Sequence, residues 1–195
     1  SKQIMLPQVD VAGQQKIMDS TVLIIGMGGL GSPTALYLAA AGVGHLVIAD
    51  FDQVELSNLQ RQIIHQTKDI GDDKVNSAKN KLTELNPEIK VTIANELIHT
   101  DNLSELIKGV DIVLDGTDNF ESRFEINKVC VENKKPLISA AVVRFEGQVS
   151  VFKGYEKELP CYQCLYSEEG EENESCIDNG VLAPVAGLIG TIQAL

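Results

Sequence analysis

Thr21-Val22-Leu23-Ile24-Ile25-Gly26-Met27-Gly28-Gly29-Leu30-Gly31 is the stretch that decides the fold. Its first five residues are apolar or β-branched without alternation, the pattern of a strand covered on both faces. Gly26, Gly28, Gly29 and Gly31 then fold the chain into a turn, and the Ala- and Leu-rich stretch 33–41 predicts a helix. Strand, glycine turn and helix in that order suit a phosphate. The glycines allow close backbone approach, and the helix start offers free N–H groups and the positive end of its dipole. All four glycines are therefore candidate nucleotide contacts. NAD, FAD and ATP share adenosine and phosphates, so the loop alone does not choose among them.

Working outward, a second strand over 45–49 ends at Asp50, whose carboxylate is placed to accept from ribose hydroxyls. A helix is predicted over 74–85, stopping before Asn86-Pro87, and a strand over 89–94. A helix over 102–108, a strand over 111–115, a helix over 122–133 and strands over 136–140 and 148–152 follow. This alternation predicts an α/β fold: a Rossmann-like, mostly parallel sheet with helices on both faces, a C-terminal extension and a crossover loop. Residues 1–195 read as one domain. Its nucleotide-binding core is 1–152, and 153–195 holds a Cys-x-x-Cys pair, a flexible loop and the start of a C-terminal region. The loop is the acidic run Glu168-Glu169-Gly170-Glu171-Glu172-Asn173-Glu174.

The 195 residues carry 28 Asp+Glu against 16 Lys+Arg, a net charge of −12. Such a surface repels a phosphate backbone, which excludes a sequence-general nucleic-acid binder. A content of 44% hydrophobic residues can fill a core, and four cysteines are too few and too scattered for a disulfide scaffold. Neither of the two most apolar stretches, 35–44 and 181–195, reaches the roughly 20 residues of a membrane span. No secretory signal is read at the start, so the expected compartment is the cytoplasm. The first residue is not Met and the apolar pattern runs to Leu195, so trimming at both ends is expected.

The segment after Asp50 departs from a dehydrogenase. Asp52, Ser57, Asn58, Leu59, Gln60 and Arg61 follow it closely, then Lys74, and Asp118-Asn119 lies just past the fourth strand. Ligands of such sheets sit outside the carboxyl ends of the strands, where Gly28, Asp50 and Asp118 should meet. Arg61 and Lys74 supply cations for a polyphosphate, and Asp118 a carboxylate for Mg²⁺. Together they suit ATP better than NAD.

Gly26-Met27-Gly28-Gly29-Leu30-Gly31, Asp50-x-Asp52, Leu56-Ser57-Asn58-Leu59-Gln60-Arg61-Gln62, Lys74 and Thr117-Asp118-Asn119 resemble the MoeB/ThiF/HesA adenylyltransferases, which are of the ubiquitin-activating type. Cys161-x-x-Cys164 and Gly180-Val181-Leu182-Ala183-Pro184 continue the resemblance, which spans essentially the whole chain. It implies ATP-dependent adenylation of the C-terminal glycine of a small ubiquitin-fold sulfur carrier, with a sulfurtransferase as a further partner. The pathway implied is molybdopterin or thiamine biosynthesis. Phe145-Glu146-Gly147-Gln148-Val149 tips the reading toward molybdopterin. The other enzyme considered is an NAD-dependent oxidoreductase built on the same glycine loop. His45, His65 and His99 all precede Asp118, which leaves that reading without a clear proton donor. A non-catalytic nucleotide sensor is a third.

The resemblance also implies that Cys161 and Cys164 are half of a structural zinc site whose other ligands lie past residue 195. Cys176, in Ser175-Cys176-Ile177, takes the place of a reactive cysteine in several relatives. Acidic neighbours disfavour its thiolate, so a reactive and an unemployed thiol both fit. Lys2 replaces the second Arg of the family's Arg-Tyr-x-Arg-Gln start, the one that reaches a partner protomer's ATP. A homodimer is expected, burying 180–195 through Val181, Leu182, Val185, Leu188, Ile189, Ile192 and Leu195, with Ala183, Ala186, Gly187 and Gly190 admitting the partner's helix.

Overall fold

A computed structural model describes residues 2–167 and 180–195. After a 3₁₀ turn at Lys2–Met5, helix α1 (Asp10–Asp19) leads to strand β1 (Thr21–Ile25), α2 (Gly31–Ala41) and β2 (His45–Ala49). The 3₁₀ turns Leu56–Asn58 and Thr67–Asp69 carry the chain to α3 (Lys74–Leu85) and β3 (Lys90–Ala94). Then come α4 (Thr100–Leu106), β4 (Ile112–Asp115), α5 (Phe120–Glu132), β5 (Leu137–Val143) and β6 (Glu146–Phe152). Short α6 (Tyr162–Leu165) and α7 (Ala183–Gln193) complete the described residues.

The sheet order is β3-β2-β1-β4-β5-β6, parallel throughout except for β6, which pairs antiparallel with β5. The predicted mostly parallel, doubly covered sheet is thus present. The unbroken apolar run of β1 has a direct cause. Leu23 and Ile25 pack under α4 and α5 with Leu103, Ile126 and Val129, while Val22 and Ile24 pack under α2 and α3 with Ala35, Ala78 and Leu82. Strand order reverses between β1 and β4, so the loops after these strands part and open a crevice at their carboxyl ends.

Two regions differ from the sequence reading. Helix α1 was not expected, and none of its residues is buried, which leaves it without a distinct apolar stripe. Segment 180–195 folds back on its own chain: Ala186, Ile189, Gly190 and Gln193 are buried. A Cβ at Gly190 would run into the Leu30 carbonyl and reach Pro33 Cγ at 2.6 Å. The small residues Ala186 and Gly190 therefore admit α2 and the glycine loop of the same chain, correcting the expectation that they admit a partner's helix. What stays exposed is a narrower face, with Leu182 at 48%, Leu188 at 61% and Ile192 at 43%, together with the fully exposed Leu195. No helix among the described residues is long and apolar enough to cross a membrane.

Candidate nucleotide site

The loop after β1 begins with Gly26 at φ +93°, where a Cβ would stand 2.9 Å from the Gly116 carbonyl oxygen in the loop after β4. Only glycine lets the two loops approach so closely. The crevice between them is lined by Gly26, Gly28, Gly29, Asp50, Asp52, Arg61, Lys74, Asp118 and Asn119. The convergence predicted at the switch point is observed.

Asp50 holds the loop. Its Oδ2 accepts from the Met27 N–H at 2.6 Å and its Oδ1 from the Asp52 N–H at 2.9 Å. Burial pushes its carboxyl above the ordinary range, against the pull of Lys74 and of these two N–H groups. Lys74, at the first position of α3, is buried and its Nζ lies 2.7 Å from Asp52 Oδ2. Asp52 is thus the counter-ion of Lys74 here, a pairing the sequence did not reveal. Arg61 is the looser cation, its Nη1 only 3.5 Å from the Ser57 carbonyl. Asp118 is exposed at the mouth of the crevice.

Several expected contacts stand elsewhere. Gly31 is buried under the loop, where a Cβ would collide with the Gly26 carbonyl oxygen, so its want of a side chain serves packing. Ser57, Asn58, Leu59 and Gln60 lie on the turn beside the crevice and do not line it. The Asn58 amide oxygen accepts from the Glu55 N–H at 3.3 Å. Asn119 lines the crevice, yet its Oδ1 caps α5 by accepting from the Ser122 N–H at 2.9 Å. Lys2 is exposed next to Gln3, whose amide nitrogen donates to the Ala41 carbonyl at 3.1 Å. That is the far end of α2 from the glycine loop, about 15 Å away by helical rise.

Cys161 and Cys164 hold their sulfurs 3.6 Å apart. That fits two ligands of a tetrahedral zinc, whose ~2.3 Å bonds put sulfurs about 3.8 Å apart. Burial raises the Cys161 thiol, but hydrogen bonding to Asn127 and Cys164 outweighs it and holds the thiol below its ordinary value. Among the described residues no group of three or more metal-binding side chains forms. Cys130 is core as expected, its thiol pushed up to about 12 by burial. Cys176 and the acidic run lie outside the described residues.

The sequence also left residues unnoticed. Gln62 is buried at the crevice wall, its Nε2 3.6 Å from where a Cβ on Gly28 would stand. Arg123, also on the wall, donates from Nη2 to the Thr117 carbonyl at 2.7 Å. Buried Asp115 accepts from the Thr117 N–H at 2.9 Å and from the Ser139 hydroxyl at 3.0 Å, which shapes the loop bearing Asp118. Gln193 donates to the Asp115 and Ile138 carbonyls at 2.8 and 2.9 Å, pinning α7 across the strand ends. For Gln62 alone there was a signal, its place at the end of the Leu56-to-Gln62 motif.

The whole chain, residues 1–195, matches the ThiF family. The chain belongs to that family. All of it aligns with 78% of the molybdopterin-synthase adenylyltransferase of Escherichia coli at 47% identity. It aligns equally with 77% of that organism's sulfur carrier protein ThiS adenylyltransferase at 48% identity. A third ThiF relative, the adenylyltransferase and sulfurtransferase MOCS3 of Culex quinquefasciatus, is 44% identical over all of this chain and 44% of its own. Among solved structures, E. coli MccB with ATP superposes with a TM-score of 0.78 at 27% identity. There this chain is covered to 93% and spans 55% of MccB. The expectation of an adenylyltransferase agrees with the names of these ThiF relatives.

Proposed function

We propose that this ThiF-family protein adenylates the C-terminal glycine of a small ubiquitin-fold sulfur carrier, with ATP and Mg²⁺, releasing pyrophosphate. The observation that carries the reading is the convergence of Arg61 and Lys74 on one crevice with Gly28, Gly29 and Asp50. A triphosphate carries more negative charge than the pyrophosphate of a nicotinamide dinucleotide, so two cations beside the loop favour ATP. The carrier carboxylate is already ionised near neutral pH and attacks the α-phosphorus in line without a general base. The chain's contribution is positioning and charge. Glycine-loop N–H groups hold phosphate oxygens, Lys74 shifts from Asp52 toward the triphosphate, and Arg61 faces the leaving pyrophosphate. Asp118, exposed at the mouth, is the carboxylate placed to hold Mg²⁺, which neutralises phosphate charge when bound.

The carrier favoured is that of molybdopterin synthesis, on the resemblance of Phe145 to Val149; relatives of both pathways are equally similar. The name of the Culex relative joins adenylyltransferase and sulfurtransferase, which supports a sulfurtransferase as a further partner. Cys161 and Cys164 are read as half of a structural zinc site, and Cys176 as a thiol able to take part in sulfur transfer.

Mg·ATP at a hundred times its dissociation constant should stabilise the protein by about 2.7 kcal/mol. That raises the melting temperature by roughly 5–10 °C for a chain of this size. NAD should leave it unchanged. An equal shift with NAD overturns the ATP reading. Exchange of labelled pyrophosphate into ATP, run with each of the two carriers, then names the substrate, and no exchange with either rejects carrier adenylation.

The face left by Leu182, Leu188 and Ile192 is read as half of a two-fold homodimer contact. Lys2 lies too far from its own crevice to touch a nucleotide there, and a partner would have to receive it. Sedimentation at micromolar concentration should give twice the chain mass, and a clean monomer rejects the shared site.

A further inference from the structure

His65 is buried beneath the glycine loop and lines no part of the crevice, yet both its ring nitrogens are engaged. Nε2 lies 3.0 Å from the Met27 carbonyl oxygen and Nδ1 lies 2.8 Å from the Ser77 hydroxyl of α3. A carbonyl only accepts, so the Nε2 must carry a proton. The groups facing the ring are Lys74 and Ser77 from α3, Asp69 from the 3₁₀ turn and Asp50 from the end of β2. Burial, helped by Lys74, holds the imidazole below its ordinary pKa against Asp50, Asp69 and the Met27 carbonyl. The one Ser77 hydroxyl proton serves either Nδ1 or Asp69 Oδ2, which lies 3.1 Å from Ser77 Oγ, so the geometry assigns only the proton on Nε2.

Met27 is thus gripped at both backbone groups, its N–H by Asp50 at 2.6 Å and its carbonyl by His65 at 3.0 Å. In a trans peptide the carbonyl and the next N–H point in opposite directions. With the Met27 carbonyl turned inward to His65, the Gly28 N–H is turned outward, on the side where Gly28 lines the crevice. Glycine offers no steric barrier to rotation of this peptide plane, so something else must fix it. We propose that His65 is a positioning residue of the nucleotide site, fixing the Met27–Gly28 peptide so that the Gly28 N–H faces the bound phosphate. This rests on the ATP reading above.

The decisive comparison is between His65→Gln, which places an amide nitrogen near the Nε2 position, and His65→Asn, which is too short to reach the Met27 carbonyl. Without the bond only a fraction of loops holds the binding orientation, and affinity falls by that fraction. Calorimetry with Mg·ATP should show roughly ten-fold weaker binding for His65→Asn and near-normal binding for His65→Gln. A purely structural role would lower the melting temperature of both and restore affinity in neither. That result, or normal affinity in His65→Asn, overturns the proposal. Wild-type protein that binds no Mg·ATP instead refutes the nucleotide reading itself. Nitrogen NMR of ring-labelled histidine in the wild type serves as a check that requires no folded variant. Assigned through nuclear Overhauser contacts between the ring and Met27, the ring should be protonated at Nε2, and an Nδ1–H tautomer overturns the proposal.

Discussion

Asp118→Ala is expected to slow carrier-dependent pyrophosphate exchange by roughly 10²–10³-fold, the cost of losing one group that organises charge at a phosphoryl centre. The fold should hardly notice. Asp118 is exposed, and surface substitutions of this kind stay within about 0.5 kcal/mol, a shift of roughly 2 °C or less. The loop itself is shaped from beneath, where Asp115 holds the Thr117 N–H and Arg123 the Thr117 carbonyl. Asp118→Asn separates charge from shape: it should also be slow, because the amide oxygen keeps the position of a ligand but lacks the negative charge with which a carboxylate holds Mg²⁺. Near-normal exchange in either variant makes the metal assignment wrong.

Gly31→Ala is expected to cost about 3 kcal/mol and some 6–12 °C in melting temperature, and to weaken Mg·ATP binding at least ten-fold. The added Cβ would run into the Gly26 carbonyl oxygen and stand 2.9 Å from its carbon, so the backbone of the glycine loop must move. That backbone has nowhere to yield. Gly26 donates to the Ala49 carbonyl at 2.8 Å, and Gly116 donates to the Ile25 carbonyl at 2.9 Å. Gly71→Ala is the informative control. Its φ is +92° with nothing within 4 Å, so only the left-handed backbone cost of about 1–2 kcal/mol applies and nucleotide binding should survive. Equal effects of the two substitutions would mean that close approach is not what Gly31 provides.

The legible parts of the fold share a property: each is written in neighbouring residues. The 21–25 run, the glycine turn after it and the stop of α3 before Asn86-Pro87 are short-range patterns, and all appear where expected. Helix α1 was illegible because no residue of it is buried, so burial left no periodic mark. The apolar content of 180–195 was legible, but its partner was not. Composition reports that surface must be covered, and the packing of Gly190 on Leu30 and Pro33 reports by what.

The sequence by itself determined the α/β sheet, the place of the glycine loop and the set of polar side chains brought to the strand ends, because secondary structure and turn chemistry follow from local steric preference and hydrophobic period. Only the tertiary structure decided which of those side chains are partnered. Asp52 neutralises Lys74, His65 holds Met27 from 38 positions away, and Gln193 reaches Asp115 across 78. Ser57 to Gln60, adjacent to Arg61 in the chain, are left outside the crevice. Such pairings depend on how the helices seat on the sheet, and that seating is set by the whole core at once, so no local stretch of sequence encodes it.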